Sequence, residues 1–188
     1  MSLFLTTPPA VEPLSLVEAK AHLRVPHNDD DTYISTLIVS ARRRVERQTG
    51  LRLITQGWSQ FMDFWPEGGL IELDLNPVST VSDVIVYGDT DTPSSIDPAH
   101  YFLDATTNPP RVVFRQGRNP SPPGRRANGI EIRMTAGFGN AAAVPQDLKQ
   151  AMLWMVADAF AHRGDDGLRS LTPAVLELIN PYRILRLS

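Results

Sequence analysis

The stretch "HNDDDTYISTLIVSARRRVERQTG", His27 to Gly50, decides the fold. Ile34, Leu37, Ile38, Ala41 and Val45 recur at intervals of three and four, which is one apolar stripe on a helix. Arg42, Arg43, Glu46 and Arg47 fall mostly off that stripe and are expected in solvent. Gly50 supplies a left-handed stop. A helix is therefore predicted from Asp31 to Thr49, about 28 Å long at the usual rise per residue. Asn28 to Asp31 sit at its start, where short polar side chains cap free N–H groups and acids suit the positive end of the dipole. A calcium loop would need alternating ligands, a turn glycine and a later bidentate Glu. This run has consecutive acids and no such Gly or Glu, so capping is the reading and no metal is expected.

Toward the N-terminus, residues 1–13 are Pro-rich and read as an extended arm. Ser15 and Glu18 have capping-box spacing, and Leu16, Ala19 and Leu23 continue at helical intervals, so a short helix is predicted from Leu16 to Leu23. Toward the C-terminus the period changes to two. "LITQGWSQFMDFW" reads as one long strand with a bulge at Gly57. "LIELDL", "VSDVIVYG" and "GIEIRMTAGFG" alternate as half-buried strands. "YFLDA" and "RVVFR" form a hairpin across "TTNPP". Between Gln116 and Gly129, Pro120, Pro122 and Pro123 with three glycines block regular pairing. This segment is expected to stand off the core.

"VPQDLKQAMLWMVADAFAHRG" restores helical spacing, with Leu148, Met152, Met155, Ala159 and Phe160 apolar. Leu37, Ile38 and Ala41 are expected to pack against Leu148, Met152 and Met155. Thr172 and Pro173 start a last short helix. The expected fold class is α+β: a helical bundle, its long N-terminal helix packed on a helix from the C-terminal half, with an inserted antiparallel β region. The expectation is a single domain over residues 1–188. Its parts are the arm 1–13, helices in 14–50, the β region 53–136 with the loop 116–129, a helix in 145–163, and a helix and tail in 172–188.

The 188 residues carry a formal charge of −3, so nothing drives the whole chain toward nucleic acid or an anionic membrane. With no cysteine, thiolate nucleophiles, thiolate metal sites and disulfides are excluded. The apolar run Ala151–Ala161 is too short to span a bilayer, and "MSLFLTTPPA" lacks a basic n-region. No membrane association and no signal peptide are expected. The four histidines have no metal spacing, "GFG" lacks a phosphate-loop pattern, and no serine lies in GxSxG. The sequence offers no catalytic constellation, so the chain is expected not to be an enzyme and to hold no cofactor. Two basic clusters remain. Arg42, Arg43, Arg44 and Arg47 end the long helix. Arg115, Arg118, Arg125 and Arg126 flank or occupy the Pro/Gly loop, where arginines can meet phosphate or a partner without reading bases. The apolar and basic tail "NPYRILRLS" either docks on a partner or folds back on its own subunit.

Here the arrangement resembles a known family. "LSLVEAKAHLRV", a short acidic run and "YISTLIVSARRRVERQTG" resemble the N-terminal signature of head–tail connector (adaptor) proteins of long-tailed bacteriophages. "VPQDLKQAMLWMVADAFAHRG" resembles that family's second main helix. "LINPYRILRL" resembles the closing segment of the branch found in prophages and gene transfer agents. The resemblance implies a structural virion protein at the head–tail interface, made in the bacterial cytoplasm. It would form a ring of identical subunits, with twelve the expected number, between the portal and the stopper or tail-completion protein. DNA would pass through its centre, with non-specific contact to the packaged strand. The resemblance favours Tyr182, Arg183, Ile184, Leu185, Arg186 and Leu187 as binding the portal or a neighbouring subunit. It favours Arg118, Arg125 and Arg126 as ring or DNA-channel contacts. The alternative function is a monomeric nucleic-acid-binding module using the arginine loop. Oligomeric state separates the two.

Overall fold

The computed structural model describes residues 2–118, 120–164 and 170–183. Among them are four α-helices and eight strands, all of whose pairings are antiparallel, an α+β fold. They divide into two compact units. One holds residues 10–54 and 138–188, the other residues 1–9 and 55–137, so the β unit is inserted between the halves of the helical one.

The helical unit contains α1 (Leu16–Leu23), α2 (Asp31–Thr49), α3 (Gln146–Ala161) and α4 (Pro173–Ile179). The capping box at α1 is present: the Glu18 N–H donates to Ser15 Oγ and the Ser15 N–H to Glu18 Oε2. Gly50 ends α2 at φ 79°, as its place after the stripe requires. Ile34, Ile38, Ala41 and Val45 share one buried core with Leu148, Ala151, Met152 and Val156 of α3 and with Val175 and Ile179 of α4. Leu37 and Met155, expected in that core, are half-buried at its margin.

In the β unit, β1 (Ser2–Thr7), β2 (Gln56–Met62), β4 (Val78–Tyr87), β5 (Pro93–Ser95) and β8 (Ile130–Ala136) form one sheet in the order β1-β2-β8-β4-β5. A second sheet has β3 (Leu70–Glu72), β6 (Tyr101–Asp104) and β7 (Arg111–Phe114) in the order β3-β7-β6. Side chains from both, including Ile71, Val84, Val112, Ile130, Ile132 and Met134, bury one core. The β6–β7 hairpin is as the sequence indicates. The arm at residues 1–13 proves to include an edge strand.

Two expectations about β2 change. Leu53 and Ile54 do not begin the strand; they are buried in the helical unit's core. The irregular register lies in β1, between Leu5 and Thr7, opposite Gly57 and Trp58. Gly57 remains the cause. A Cβ there would stand 2.9 Å from Thr6 Oγ1 and 3.0 Å from Thr7 Cβ, so only glycine lets the threonines approach.

Candidate interaction surfaces

The acidic run before α2 does not cap it. Asp30 is the N-cap residue but makes no side-chain cap bond. Its Oδ1 instead accepts from Arg163 beyond α3 at 2.7 Å, and that guanidinium lies 4.3 Å from the Tyr33 ring centre. Asp31 Oδ1 accepts from Lys20 of α1 at 2.6 Å, and Asn28 Oδ1 from the same Nζ at 2.7 Å. The run therefore ties the start of α2 to α1 and to the end of α3, while its charge still suits the helix dipole.

The arginines of α2 also separate. Arg42, expected in solvent, is buried at 6% exposure. Its Nε donates to Glu12 Oε2 at 2.7 Å and its NH1 to Glu46 Oε2 at 3.0 Å. Burial opposes its charge, but the two carboxylates outweigh that and hold its pKa above the ordinary Arg value. Glu46 Oε1 accepts the Leu53 N–H at 3.0 Å, so the network also holds the chain after the helix. Arg43 and Arg47 are exposed. With Arg44 they rim a groove of about 400 Å³ between α2 and α3, floored by Leu37, Ala41, Met155 and Ala159.

The loop from Gln116 to Gly129 does not stand off the core. Trp65 Nε1 donates to the Ser121 carbonyl at 2.9 Å, the Gly124 N–H to the Tyr87 carbonyl at 2.9 Å, and the Asn128 N–H to Asp63 Oδ1 at 2.7 Å. A Cβ on Gly124 would lie 2.2 Å from the Asp89 N atom, so this glycine permits backbone-to-backbone packing. Arg125 pairs with Asp91 and stacks 4.3 Å from the Tyr87 ring centre. Of the three loop arginines, Arg118 and Arg126 are exposed, and Arg118 borders a groove of about 630 Å³ beside β5.

On the same sheet Glu131, 4% exposed, accepts from Ser59 Oγ at 2.7 Å, Tyr87 OH at 2.7 Å and Arg133 Nε at 2.8 Å. Alternation placed Glu131 on the solvent face; its partners on β2, β4 and β8 cover it. Burial raises its pKa, and the hydrogen bonds with Arg133, Tyr87 and Ser59 more than reverse this, leaving it below the ordinary Glu value.

In the tail, Tyr182 lies half-buried against the helical core, and its hydroxyl donates to Asp147 Oδ2 at 3.2 Å. Burial first, then that bond and charge, push its phenol up. Arg183 is exposed. Ile184, Leu185, Arg186 and Leu187 lie outside the described residues. The sequence reading also missed Phe64. It placed this residue inside a strand, whereas β2 ends at Met62 and Phe64 is 69% exposed in the following turn. The Pro66-Glu67-Gly68-Gly69 punctuation just after it was the available signal.

Residues 13–87 match the family described as phage gp6-like head-tail connector protein. The resemblance read in the sequence is to this same family. Over these residues the chain is similar to that family. The matched segment contains both α1 and α2, with the acidic run between them. Solved structures extend the likeness over the full length. A chain in the neck of an empty gene transfer agent (GTA) particle, computed with C6 symmetry, is 25% identical, with a TM-score of 0.86. The alignment covers 100% of this chain and 98% of that one. A chain in the neck of a native GTA particle, computed with C12 symmetry, is 26% identical with a TM-score of 0.83 and the same coverage. A third, from the virion of a native GTA particle, is 24% identical, with a TM-score of 0.84 over 100% of this chain and 98% of that one. No curated protein matches the chain.

Proposed function

We propose that this connector-like chain is a structural subunit of a virion or phage-like particle. It would form a ring, of twelve copies, between the portal and the stopper or tail-completion protein, with DNA passing through the ring. The observation that carries this is the likeness over the whole chain, at both ends of the alignment, to neck chains of GTA particles, one computed with C12 symmetry. The match of residues 13–87 to the connector family supports it independently. A rotationally closed ring needs no catalytic centre, only surfaces that repeat between copies. The monomeric nucleic-acid reading draws less support: Arg125 is engaged by Asp91 and Tyr87, and the chain is net acidic. The test is mass measurement of the purified protein alone and with purified portal. A complex of about twelve copies on portal is expected. A chain that stays monomeric with portal, together with particles whose necks lack it, overturns the proposal.

A further inference from the structure

We infer that the turn after β2 of one copy docks, through Phe64, into the arginine-rimmed groove between α2 and α3 of the next copy. This inference rests on the ring reading above. A ring closed by rotation joins two different patches of each subunit, so it requires complementary surfaces within one chain. The two surfaces meet that requirement in shape and charge.

The groove has an apolar floor at Leu37, Ala41, Met155 and Ala159 beneath a cationic rim. Among the described residues no carboxylate pairs with Arg43 or Arg47, although Arg42 between them and the core is fully matched by Glu12 and Glu46. The turn presents the opposite pattern. Phe64 is 69% exposed between Asp63 and Glu67, both exposed. An exposed aromatic ring beside carboxylates fits an apolar floor inside an arginine rim, with the ring as anchor and the charges setting register. The turn is also held in place before any contact. Trp65, next to Phe64, packs edge-on to Phe114 at 5.4 Å and donates to the Ser121 carbonyl, while Asp63 accepts the Asn128 N–H. Gly68 and Gly69, at φ 81° and 68°, bring the chain back in the left-handed conformation. A rigid anchor loses little entropy on docking. A DNA phosphate would satisfy the arginines but leaves the apolar floor and Phe64 without a role.

The contact is tested by reversing charge on each side. Arg43→Glu/Arg47→Glu places acids at both surfaces of a subunit, and Asp63→Arg/Glu67→Arg places cations at both. Each variant alone should form rings on portal less well than wild type by about tenfold or more, since like charges then face each other. Mixed in equal amounts they should restore the ring, with the two variants alternating, because every contact then joins opposite charges. Phe64→Ser should lose ring formation with the charges intact. Circular dichroism and melting establish that each subunit is folded. Arg43→Gln/Arg47→Gln serves as the milder groove variant if the reversal unfolds. If wild type rings on portal and the folded variants ring equally well, or the mixture fails to restore rings, the inference is overturned and the ring reading stands. Rings that form normally with Arg43→Glu/Arg47→Glu but lose DNA would assign the groove to phosphate instead. If wild type forms no ring, the reading beneath the inference fails with it.

Discussion

Arg42 and Glu46 lie one turn apart on α2 with both side chains buried, and Arg42 NH1 donates to Glu46 Oε2 at 3.0 Å. Glu12, from the segment before α1, takes the other face of the same guanidinium through Nε and NH2. The helical unit thus carries an ion triad in the C-terminal half of its longest helix, with Arg42 and Glu46 buried and Glu12 partly exposed. Such a triad adds little net stability over an apolar replacement, but breaking it leaves an uncompensated buried charge.

Arg42→Ala should therefore cost about 3–5 kcal/mol, because Glu46 stays buried without its cation. Arg42→Lys should recover part of the loss, since an ammonium cannot span both carboxylates as the planar fork does. Urea unfolding followed by circular dichroism measures both. A loss within error for Arg42→Ala would mean Glu46 reaches solvent in the folded protein.

The sequence made α2 legible because its stripe, stop residue and length are local properties. Its acidic start was misread for the same reason. Capping is a local rule, whereas Lys20 is reached across 11 residues and Arg163 across 133, through the packing of α1 and α3. Arg42 was misplaced because helical spacing cannot say that Glu12 would arrive to bury it. The strands were legible from alternation, except β1, which was read as part of an extended arm, and β5, three residues long with a proline at its start. The loop at 116–129 was recognised as irregular, but glycine has two uses. Freedom suggested a projecting arm, while Gly124 here serves close approach to the Gly88–Asp89 backbone. Partner surfaces were least legible: their meaning lies in another molecule, and only the family resemblance pointed to one.

The ion pair of Lys20 with Asp31 gives a second prediction. Its side chains are 15% and 32% exposed, so solvent screens it in part. A double-mutant cycle with Lys20→Ala and Asp31→Ala should return a coupling of about 0.2–1 kcal/mol, weakening with added salt. Zero coupling, with Asp31→Ala alone still destabilising, would restore the capping reading.

Glu131 makes part of the β unit's stability depend on acid. Its pKa in the folded state lies below the ordinary Glu value, through Arg133, Tyr87 and Ser59. The unfolded chain therefore binds the proton more readily. This stabilisation is present in full above the unfolded value of about 4.3 and is lost as pH falls through the folded value. Glu131→Gln should be less stable than wild type near neutrality, and its stability should change less between about pH 5 and pH 3. Melting curves across that range test this. Parallel wild-type and variant curves would mean that Glu131 has the same affinity for protons folded and unfolded.

The loop arginines should divide by role. Arg125 is a fastening residue: it pairs with Asp91 and stacks on Tyr87, beside the point where the Gly124 N–H meets the Tyr87 carbonyl. An exposed ion pair is worth little, and a cation over an exposed ring about 0.5–1 kcal/mol, so Arg125→Ala should lower stability by roughly 1 kcal/mol. It should also speed amide exchange at Gly124 and Arg125. Arg118 and Arg126 are exposed and fasten nothing among the described residues. Arg118→Ala/Arg126→Ala should leave melting and exchange as in wild type. If these two side chains serve the ring or meet DNA, the double variant should reduce ring formation on portal or DNA retention in particles, and the difference in DNA retention from wild type should shrink as salt is raised, because phosphate contacts weaken with salt. Wild-type rings and full DNA retention in the double variant would remove the loop from the proposed ring and DNA contacts. The same assays on Arg125→Ala would then report on loop order alone.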